Sequence, residues 1–244
     1  MKHETRNYLP DTTFRKIKHF LRRTFLPFVD PRGKDIFIKR LPKGAKLLDV
    51  GCGNFSPERI KKLRPDLYYV GVDVGDYNND ETSLSMADEY IITTGEDFAQ
   101  TIRNLPQDFD AAISSHNIEH CNKPLETLDA ICSRLKQDGK LYLAFPSEKS
   151  VTFPSSQTST VNFYDDETHI YLPNFREIMK KLIHDNKMRV DYVVPEYRPL
   201  ISRLRGAFHY HVGGAFHYFF GGKNTEYGFW EYLGFETKIW AHKK

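Results

Sequence analysis

Short apolar runs recur between residues 46 and 145 of the chain, and each is followed by a turn or by a helical pattern. The runs are Lys46–Val50, Leu67–Asp73, Phe109–Ser114 and Lys140–Phe145, with Tyr90–Thr93 as a weaker example. Runs that are apolar without alternation are typical of parallel strands covered on both faces. Strands that alternate with helices join by right-handed βαβ crossovers. The pattern therefore predicts an α/β fold, with a mostly parallel sheet and helices on both of its faces.

Three helices of this fold are predicted from side-chain spacing and from end signals. The segment Ser56–Glu58 supplies an N-cap serine, a proline in the first turn and an early acid for a helix that runs to Leu63. Pro124 opens a second helix, which Asp138-Gly139 is expected to stop. A third amphipathic pattern follows Pro173.

Composition narrows the class of protein. The 244 residues are 40% hydrophobic and 27% charged with a formal net charge of +3, which is typical of a globular chain and too mild to indicate nucleic-acid binding without a local basic cluster. The three cysteines, Cys52, Cys121 and Cys132, argue against a disulfide framework. No apolar run approaches the length of a transmembrane span. We therefore expect a cytoplasmic enzyme.

Two regions flank the predicted sheet. Residues 11–29 have the pattern of a basic amphipathic helix, which either packs over the domain or contacts a membrane surface or partner. We assign residues 1–40 to an N-terminal helical cap and residues 41–244 to one domain. Within that domain, residues 190–235 are rich in aromatic side chains and histidine, and we expect them to bind the acceptor. The pentapeptide Gly-Ala-Phe-His-Tyr occurs there twice, at 206–210 and 214–218.

The segment Leu47–Phe55 (LLDVGCGNF) carries the strongest ligand signal. Its strand is followed by Gly51 and Gly53, which permit a tight turn and a close approach of ligand to the main chain. The helix that comes next offers free amides to an anionic group. The following strand ends at Asp73, whose carboxylate can accept two hydrogen bonds from a ribose diol. These features indicate an adenosine-containing ligand.

Two nucleotide-binding motifs are excluded by the residues after the glycines. G-x-G-x-x-G would need glycine where Ser56 stands, and the Gly-Lys-Ser/Thr of a P-loop is absent here. The motif Asp49-x-Gly51-x-Gly53 instead resembles the first motif of the class I S-adenosylmethionine-dependent methyltransferases. Phe109–Cys121 and Leu135–Pro146 are similar to the fourth strand and the helix–turn–fifth-strand of the small-molecule branch of that family. Phe55 departs from the family, because many members have a third glycine there.

The resemblance implies a seven-stranded, mostly parallel sheet, with its antiparallel strand near Phe235–His242. It implies that the methionyl end of the cofactor contacts the main chain of the Gly51–Gly53 turn, that Asp73 holds the ribose and that Val74 lies against the adenine. Either Glu96 or Asp97 is expected near the adenine edge, and Asp49 is expected to support the loop. The cofactor-binding residues predicted in this way are Asp49, Gly51, Cys52, Gly53, Asp73, Val74, Glu96, Asp97 and Ser115.

The loop after the fourth strand holds the candidate catalytic groups. His116, Glu119 and His120 have the spacing i, i+3 and i+4, which places side chains on one side of a helical turn. In one hypothesis His120 is a general base oriented by Glu119 or by another group. In another, the set binds a divalent metal with His169 as a distant ligand, in a pattern similar to the Glu-x-x-Glu-His of quinone O-methyltransferases and small-RNA 2′-O-methyltransferases. In a third, Glu119 and His120 only fix the loop.

The expected reaction is O-methylation of a saccharide or other small hydroxyl acceptor, as in surface-polysaccharide or nucleotide-sugar biosynthesis. The aromatic tail suits stacking on sugar faces, and its histidines His209, His211 and His217 are expected in a pocket lid or an oligomer contact. One alternative is a metal-dependent RNA 2′-O-methyltransferase, which would need a basic surface beside the acceptor. A non-catalytic S-adenosylmethionine-binding protein is another. The basic surface would consist of Arg15, Lys16, Lys18, Arg22 and Arg23.

Overall fold

The computed structural model describes residues 30–156, 160–213 and 229–244. The predicted helix over residues 11–29 and its basic side chains lie outside the described residues. The same holds for His217 and for the second pentapeptide copy at 214–218. No helix in the described ranges is both long enough and apolar enough to cross a membrane.

Helices and strands alternate through most of the described chain. In chain order they are α1 (Lys34–Lys39), β1 (Lys46–Val50), α2 (Ser56–Leu63), β2 (Tyr68–Asp73), α3 (Glu81–Ser85), β3 (Glu89–Ile92), α4 (Phe98–Arg103), β4 (Phe109–Ser115), α5 (Pro124–Ser133), β5 (Leu135–Pro146), α6 (Phe175–Lys180), β6 (Met188–Val194), α7 (Leu200–Phe208), α8 (Phe229–Leu233) and β7 (Glu236–Lys243). Short 3₁₀ turns cover Ile118–His120, Glu148–Thr152 and Phe163–Asp165, and π-helical turns extend α6 over Lys181–Asp185 and α7 over His209–Gly213.

The strands form one seven-stranded sheet in the order β3-β2-β1-β4-β5-β7-β6. Neighbours from β3 to β5 pair in parallel, and β7 runs antiparallel to both β5 and β6. The predicted α/β sheet and its antiparallel strand are therefore confirmed. Because β1 lies between β2 and β4, the loops after these three strands meet at one edge of the sheet.

Both faces of the sheet are covered, since successive side chains of a strand point to opposite faces. Leu48 and Val50 of β1 belong to a core that includes buried side chains of α4, α5 and α6. Leu47 lies in a second core with residues of α1 and α2. The apolar run in β1 therefore has a packing partner on each side, as the unalternated sequence pattern predicts.

Helix α1 lies within the predicted N-terminal cap and packs into the domain. Its residues Ile36, Phe37 and Ile38 are buried in the second core. The ring of Phe37 contacts the ring of Trp240 on β7 at a centroid distance of 5.4 Å. At least this part of the segment 1–40 is packed on the sheet, and the division of the chain at residue 40 stays a prediction.

Two helix ends differ from the sequence predictions. Helix α2 is preceded by Phe55 in the left-handed conformation, at φ +58°, so Ser56 is the first helical residue rather than the N-cap. Its hydroxyl is directed to Asp49 instead. Helix α5 ends at Ser133, earlier than the Asp138-Gly139 turn, because Leu135 already pairs with Phe109 at the start of β5.

Candidate active site

A cavity of about 490 Å³ opens where the loops after β1, β2, β3 and β4 meet. This is the edge at which parallel α/β sheets bind ligands. The segment 166–168 closes the side of the cavity beside the β4 loop. The lining residues are Gly51, Gly53, Asn54, Asp73, Val74, Tyr77, Asn78, Gly95, Phe98, His116, Asn117, His120, Cys121, Asn122, Asp166 and Thr168.

The turn after β1 requires glycine for steric reasons. Gly51 has φ +78°, and a Cβ atom built on it would lie 2.6 Å from side-chain atoms of Asn117. A Cβ atom on Gly53 would lie 2.8 Å from the Cβ atom of Tyr77. Cys52, between them, is fully buried. The turn therefore presents main-chain atoms to the cavity, and their contact with the cofactor stays a prediction.

Asp49 lies behind this turn and is almost fully buried. Its Oδ2 atom accepts hydrogen bonds from the hydroxyls of Ser56, at 2.6 Å, and Tyr69, at 2.7 Å. Burial raises the pKa of this carboxyl above its ordinary value. Since its contacts join β1, β2 and the start of α2, the arrangement fits the supporting role expected of Asp49.

Asp73 ends β2 and lines the cavity beside Gly53. The side chain is largely buried, and its Oδ1 atom accepts a hydrogen bond from the amide of Val74 at 2.7 Å. Burial raises the pKa of the carboxyl to about 6, against the opposing effect of amide hydrogen bonds. Val74 also lines the cavity and is 40% exposed. Both residues line the cavity, and their contacts with the ribose and the adenine stay predictions.

Glu96 and Asp97 lie at the rim rather than among the lining residues, which in this segment are Gly95 and Phe98. Oε1 of Glu96 accepts a hydrogen bond from the side-chain Nδ2 of Asn122 at 3.1 Å. Asp97 accepts a hydrogen bond from the Thr94 hydroxyl. An adenine-edge role for either residue stays a prediction. The same holds for a cofactor contact of Ser115, the last residue of β4, which precedes the lining residue His116.

His116 is held between two carboxylates. Its Nδ1 atom lies 3.1 Å from Oε1 of Glu119, and its Nε2 atom lies 3.1 Å from Oε1 of Glu236. Burial alone would lower the pKa of His116, but the two hydrogen bonds raise it to about 9. Both ring nitrogens therefore carry protons at neutral pH, which leaves no lone pair for a base or a metal ligand. His116 also has φ +53° and lies outside the turn Ile118–His120, so the three residues do not share one helical turn.

Glu236, the first residue of β7, is a member of this site that sequence reasoning missed. Its Oε2 atom lies 3.0 Å from Nζ of Lys238, which in turn lies 3.3 Å from Oδ1 of Asp30. Burial would raise the pKa of Glu236, but the charge of Lys238 and the hydrogen bond from His116 lower it to about 2. Glu236 is far from His116 in the sequence, so no local motif contains both residues. Their contact becomes visible only when the strand order of the sheet is known.

Glu119, His120 and His169 come together, and among these three His120 lines the cavity, as do Asp166 and Thr168. One ligand-type atom from each lies within 4.8 Å of the others, and the two imidazole rings are 4.8 Å apart between centroids. The amides of Ile170 and Tyr171 donate to the carbonyl oxygen of Glu119, at 3.0 and 3.1 Å. These two hydrogen bonds explain how the distant His169, predicted from the sequence, reaches the β4 loop.

The side chains that sequence reasoning missed are mostly polar residues of the same loops. Asn117 covers Gly51, and Asn122 connects the cavity wall to Glu96. Asp166 accepts hydrogen bonds from the amide and hydroxyl of Thr168. Asn117 and Asn122 directly flank the segment 118–121 that contains His120. Their closeness in sequence to His120 was the signal that could have identified them as site residues.

The described part of the aromatic tail packs beside the cavity. The ring of Trp230 lies 4.8 Å from the ring of His116 between centroids. Nε2 of His211 lies 2.8 Å from the hydroxyl of Tyr232, and His209 begins the π-helical turn after α7. A lid or oligomer role for these histidines stays a prediction.

The sheet order, the glycine turn and the acidic end of β2 together define a class I S-adenosylmethionine-dependent methyltransferase. A family model described as a methyltransferase domain matches residues 13–190. The chain belongs to this methyltransferase-domain family. A comparison with curated protein sequences finds no match.

Solved structures share the fold at low sequence identity. The plantazolicin methyltransferase BpumL, in complex with a pentazolic desmethylPZN analog and SAH, is 17% identical with a TM-score of 0.53, over 96% of this chain and 92% of that chain. A chain in the complex of the Haloferax volcanii Trm112 methyltransferase activator with a methyltransferase is 13% identical with a TM-score of 0.56, over 93% and 94%. The TM-scores show that these proteins share the fold of this chain, and at such low sequence identity the comparison shows the fold alone.

Proposed function

We propose that the protein transfers a methyl group from S-adenosylmethionine to a hydroxyl oxygen of a small polyhydroxylated acceptor, such as a saccharide. The bound cofactor supplies a methyl group on a positively charged sulfur. A hydroxyl acceptor must lose its proton, which calls for a base or a metal ion beside it. The observation that carries the proposal is the Glu119, His120 and His169 cluster, because it includes His120, which lines the cavity.

The fit of the cofactor rests on the turn after β1. Since Gly51 and Gly53 have no space for a Cβ atom, the main chain is the surface that a ligand would contact there. In our proposal the ionised carboxylate of Asp73 accepts hydrogen bonds from the ribose, and Val74 lies against the adenine. Asp49 remains behind the turn and stabilises the conformation of the turn through its hydrogen bonds with Ser56 and Tyr69.

The acceptor class is supported by the polarity of the cavity wall. Asp166, Thr168 and His120 offer hydrogen-bonding groups to the cavity, and the ring of Trp230 packs at a tilt against the ring of His116, another lining residue. Sugars present both hydroxyls and apolar ring faces, so polar groups near aromatic rings suit them. We also propose a reducing compartment such as the cytoplasm, which fits three buried cysteines without a disulfide bond.

The test is a methyl-transfer assay with labelled S-adenosylmethionine. The acceptors are monosaccharides, nucleotide sugars, a catechol and a short RNA, and the position of the label is found by NMR. We expect label on a sugar oxygen. Label on nitrogen or sulfur contradicts the proposal, and label on a ribose 2′-oxygen of RNA favours the RNA alternative.

A matched pair of variants ties the activity to the cluster. His120→Ala is expected to lower kcat by about 10²–10⁴-fold, the range for loss of a group that assists proton removal. His184→Ala removes an exposed histidine of the α6 extension and is expected to leave kcat unchanged. The affinity for S-adenosylhomocysteine, measured by calorimetry, is expected to be equal in both. Full activity of a folded His120→Ala variant contradicts this assignment.

A further inference from the structure

We propose that Glu119, His120 and His169 bind one divalent transition-metal ion at the acceptor end of the cavity. The three residues come from two segments, the turn Ile118–His120 and the loop that precedes α6. Each contributes one atom, and these atoms lie within 4.8 Å of one another. His116 is not part of the set, because both of its nitrogens face carboxylates.

The strongest indication of a bound ion is a carboxylate oxygen of Glu119 that has no hydrogen-bond partner among the described residues. The Glu119 side chain is fully buried, and its Oε1 atom accepts the hydrogen bond from His116. Its Oε2 atom is buried without a hydrogen-bond partner among the described residues. A buried carboxylate oxygen is costly when it is unsatisfied. A metal ion bound to Oε2 would supply the missing partner and offset the cost of burying this oxygen.

The two histidines are oriented in the way that metal-binding histidines are. Nδ1 of His120 lies 3.1 Å from the carbonyl oxygen of Thr168, and Nδ1 of His169 lies 2.6 Å from the carbonyl oxygen of Phe163. A carbonyl oxygen can only accept, so Nδ1 is the donor in each ring and Nε2 is the atom that a metal ion would bind. Nε2 of His169 also lies 3.9 Å from Oδ2 of Asp166. Metal-bound histidines usually donate their other ring nitrogen to a backbone carbonyl or carboxylate in this manner.

The geometry needs only a small closure to hold an ion. Nitrogen and oxygen ligands at about 2.1 Å from a tetrahedral ion lie roughly 3.4 Å from one another. Side-chain rotations that move these atoms by about 1 Å bring the set from 4.8 Å to that spacing. The hydrogen bonds of Ile170 and Tyr171 to the Glu119 carbonyl keep the two segments together while this happens.

The donor set selects the class of ion. Two imidazoles with one carboxylate suit Mn²⁺, Fe²⁺, Co²⁺ or Zn²⁺, whereas Mg²⁺ and Ca²⁺ prefer oxygen ligands throughout. Three protein ligands leave a coordination position open. His120 lines the cavity, so the open position would face the acceptor.

This inference rests on the proposed function for its catalytic meaning. A hydroxyl bound at the open position becomes more acidic, because the ion stabilises the alkoxide. The O–H bond then breaks, the electron pair stays on oxygen and the proton leaves to solvent. Binding of the ion itself can be tested without any turnover.

The experiment uses the full chain, treated with a chelator and then dialysed, and titrated with Co²⁺ by calorimetry and visible absorption. We expect one ion per chain and ligand-field bands in the visible range. Glu119→Gln and His169→Ala are each expected to weaken Co²⁺ binding by at least about tenfold. Glu119→Gln keeps the shape of the side chain and an oxygen that can accept from His116. His184→Ala, the matched control, is expected to bind Co²⁺ as the unmodified chain does.

Binding of S-adenosylhomocysteine to the same samples separates the two proposals. If Co²⁺ does not bind, or binds equally to Glu119→Gln and the unmodified chain, the metal site is overturned, whatever the result with S-adenosylhomocysteine. If Co²⁺ binds as expected while no hydroxyl acceptor is methylated, the metal site stands and the proposed function fails. Should His169→Ala not fold, as judged by circular dichroism, Glu119→Gln decides alone.

Discussion

Nε2 of His116 lies 3.1 Å from Oε1 of Glu236, a residue 120 positions further along the chain. The contact joins the loop after β4 to the first residue of the antiparallel strand β7. Because Nδ1 of the same ring lies 3.1 Å from Oε1 of Glu119, His116 holds one carboxylate oxygen of Glu119, and the other oxygen, Oε2, is buried without a hydrogen-bond partner among the described residues. The C-terminal strand therefore positions the candidate catalytic loop.

The His116 contacts predict a pH dependence of folding stability. The pKa of His116 is about 9 in the folded chain and about 6.5 when unperturbed. A raised histidine pKa contributes stability that is fully present below pH 6.5 and is lost as pH rises through 9. We expect His116→Gln to lower the free energy of unfolding by about 2–3 kcal/mol at pH 6 and by little at pH 10. Urea denaturation at the two pH values measures this difference.

His242→Gln is the control for that comparison. His242 on β7 also pairs with a carboxylate, that of Asp191 on β6 at 2.9 Å, but both side chains are partly exposed. Exposed ion pairs contribute about 0–1 kcal/mol, so this variant is expected to differ little from the unmodified chain at either pH. An equal loss of stability at pH 6 and pH 10 in His116→Gln would show that the ring is not a cation in the folded chain.

The position of Asp73 predicts the size of a cofactor-binding defect. If the carboxylate accepts hydrogen bonds from the ribose, Asp73→Ala removes a charge-assisted contact of roughly 2–3 kcal/mol. We expect the Kd for S-adenosylmethionine to rise about 30- to 150-fold. Asp185→Asn, on the exposed π-helical extension of α6, is expected to bind normally. Calorimetry that gives equal affinities for the two variants would remove Asp73 from the site.

The raised pKa of Asp73 predicts a pH dependence of cofactor binding. With a pKa of about 6 the carboxyl gains its proton as pH falls through 6, and the neutral acid is the weaker hydrogen-bond acceptor. Affinity for S-adenosylhomocysteine is expected to fall toward tenfold per pH unit below pH 6. Binding near pH 6 should release a proton, which appears as a dependence of the calorimetric heat on buffer ionisation. In Asp73→Asn this loss of affinity toward low pH is expected to disappear. If it persists, a group other than Asp73 causes the pH dependence.

Two glycines with positive φ predict different results for the same substitution. Gly51 has φ +78° and no space for a Cβ atom, whereas Gly44 has φ +69° and nothing within 4 Å of such an atom. Both alanine variants carry a backbone cost of about 1–2 kcal/mol. Only Gly51→Ala should also displace Asn117 and weaken binding of S-adenosylhomocysteine.

The matched measurement is the affinity for S-adenosylhomocysteine of the two variants and of Gly51→Ala/Asn117→Gly. Removal of the Asn117 side chain is expected to restore part of the affinity that Gly51→Ala loses. Equal affinities of Gly44→Ala and Gly51→Ala would show that the space beside Asn117 is not required.

The sheet was predictable because its strands carry their own signal. Buried parallel strands such as Lys46–Val50 have apolar residues on both faces, and this pattern does not depend on distant neighbours. Helix ends were less predictable, since they depend on long-range competition. Ser56 is the clearest case, because its hydroxyl bonds to Asp49 rather than capping the helix.

The candidate site was predictable where one loop contains its residues. The glycine turn and Asp73 line the cavity as the sequence indicates. The sequence did not separate His116 from His120, because only Glu236 distinguishes the two histidines, and its approach is a product of β5–β7 pairing. Asp166 and Thr168 were missed for the same reason, as no local motif places residues 166–168 beside β4.

The place of β7 in the sheet sets the order in which the protein can mature. Ribosomes release a chain from its N-terminus, and β6 emerges before the strand that must lie between it and β5. Until residues 236–243 are inserted, β5 and β6 have no common neighbour and His116 lacks its second carboxylate. The nascent chain can therefore form the strands β1 to β5 of its nucleotide-binding half before β7 is available, whereas the contact of His116 with Glu236 forms only after β7 is inserted.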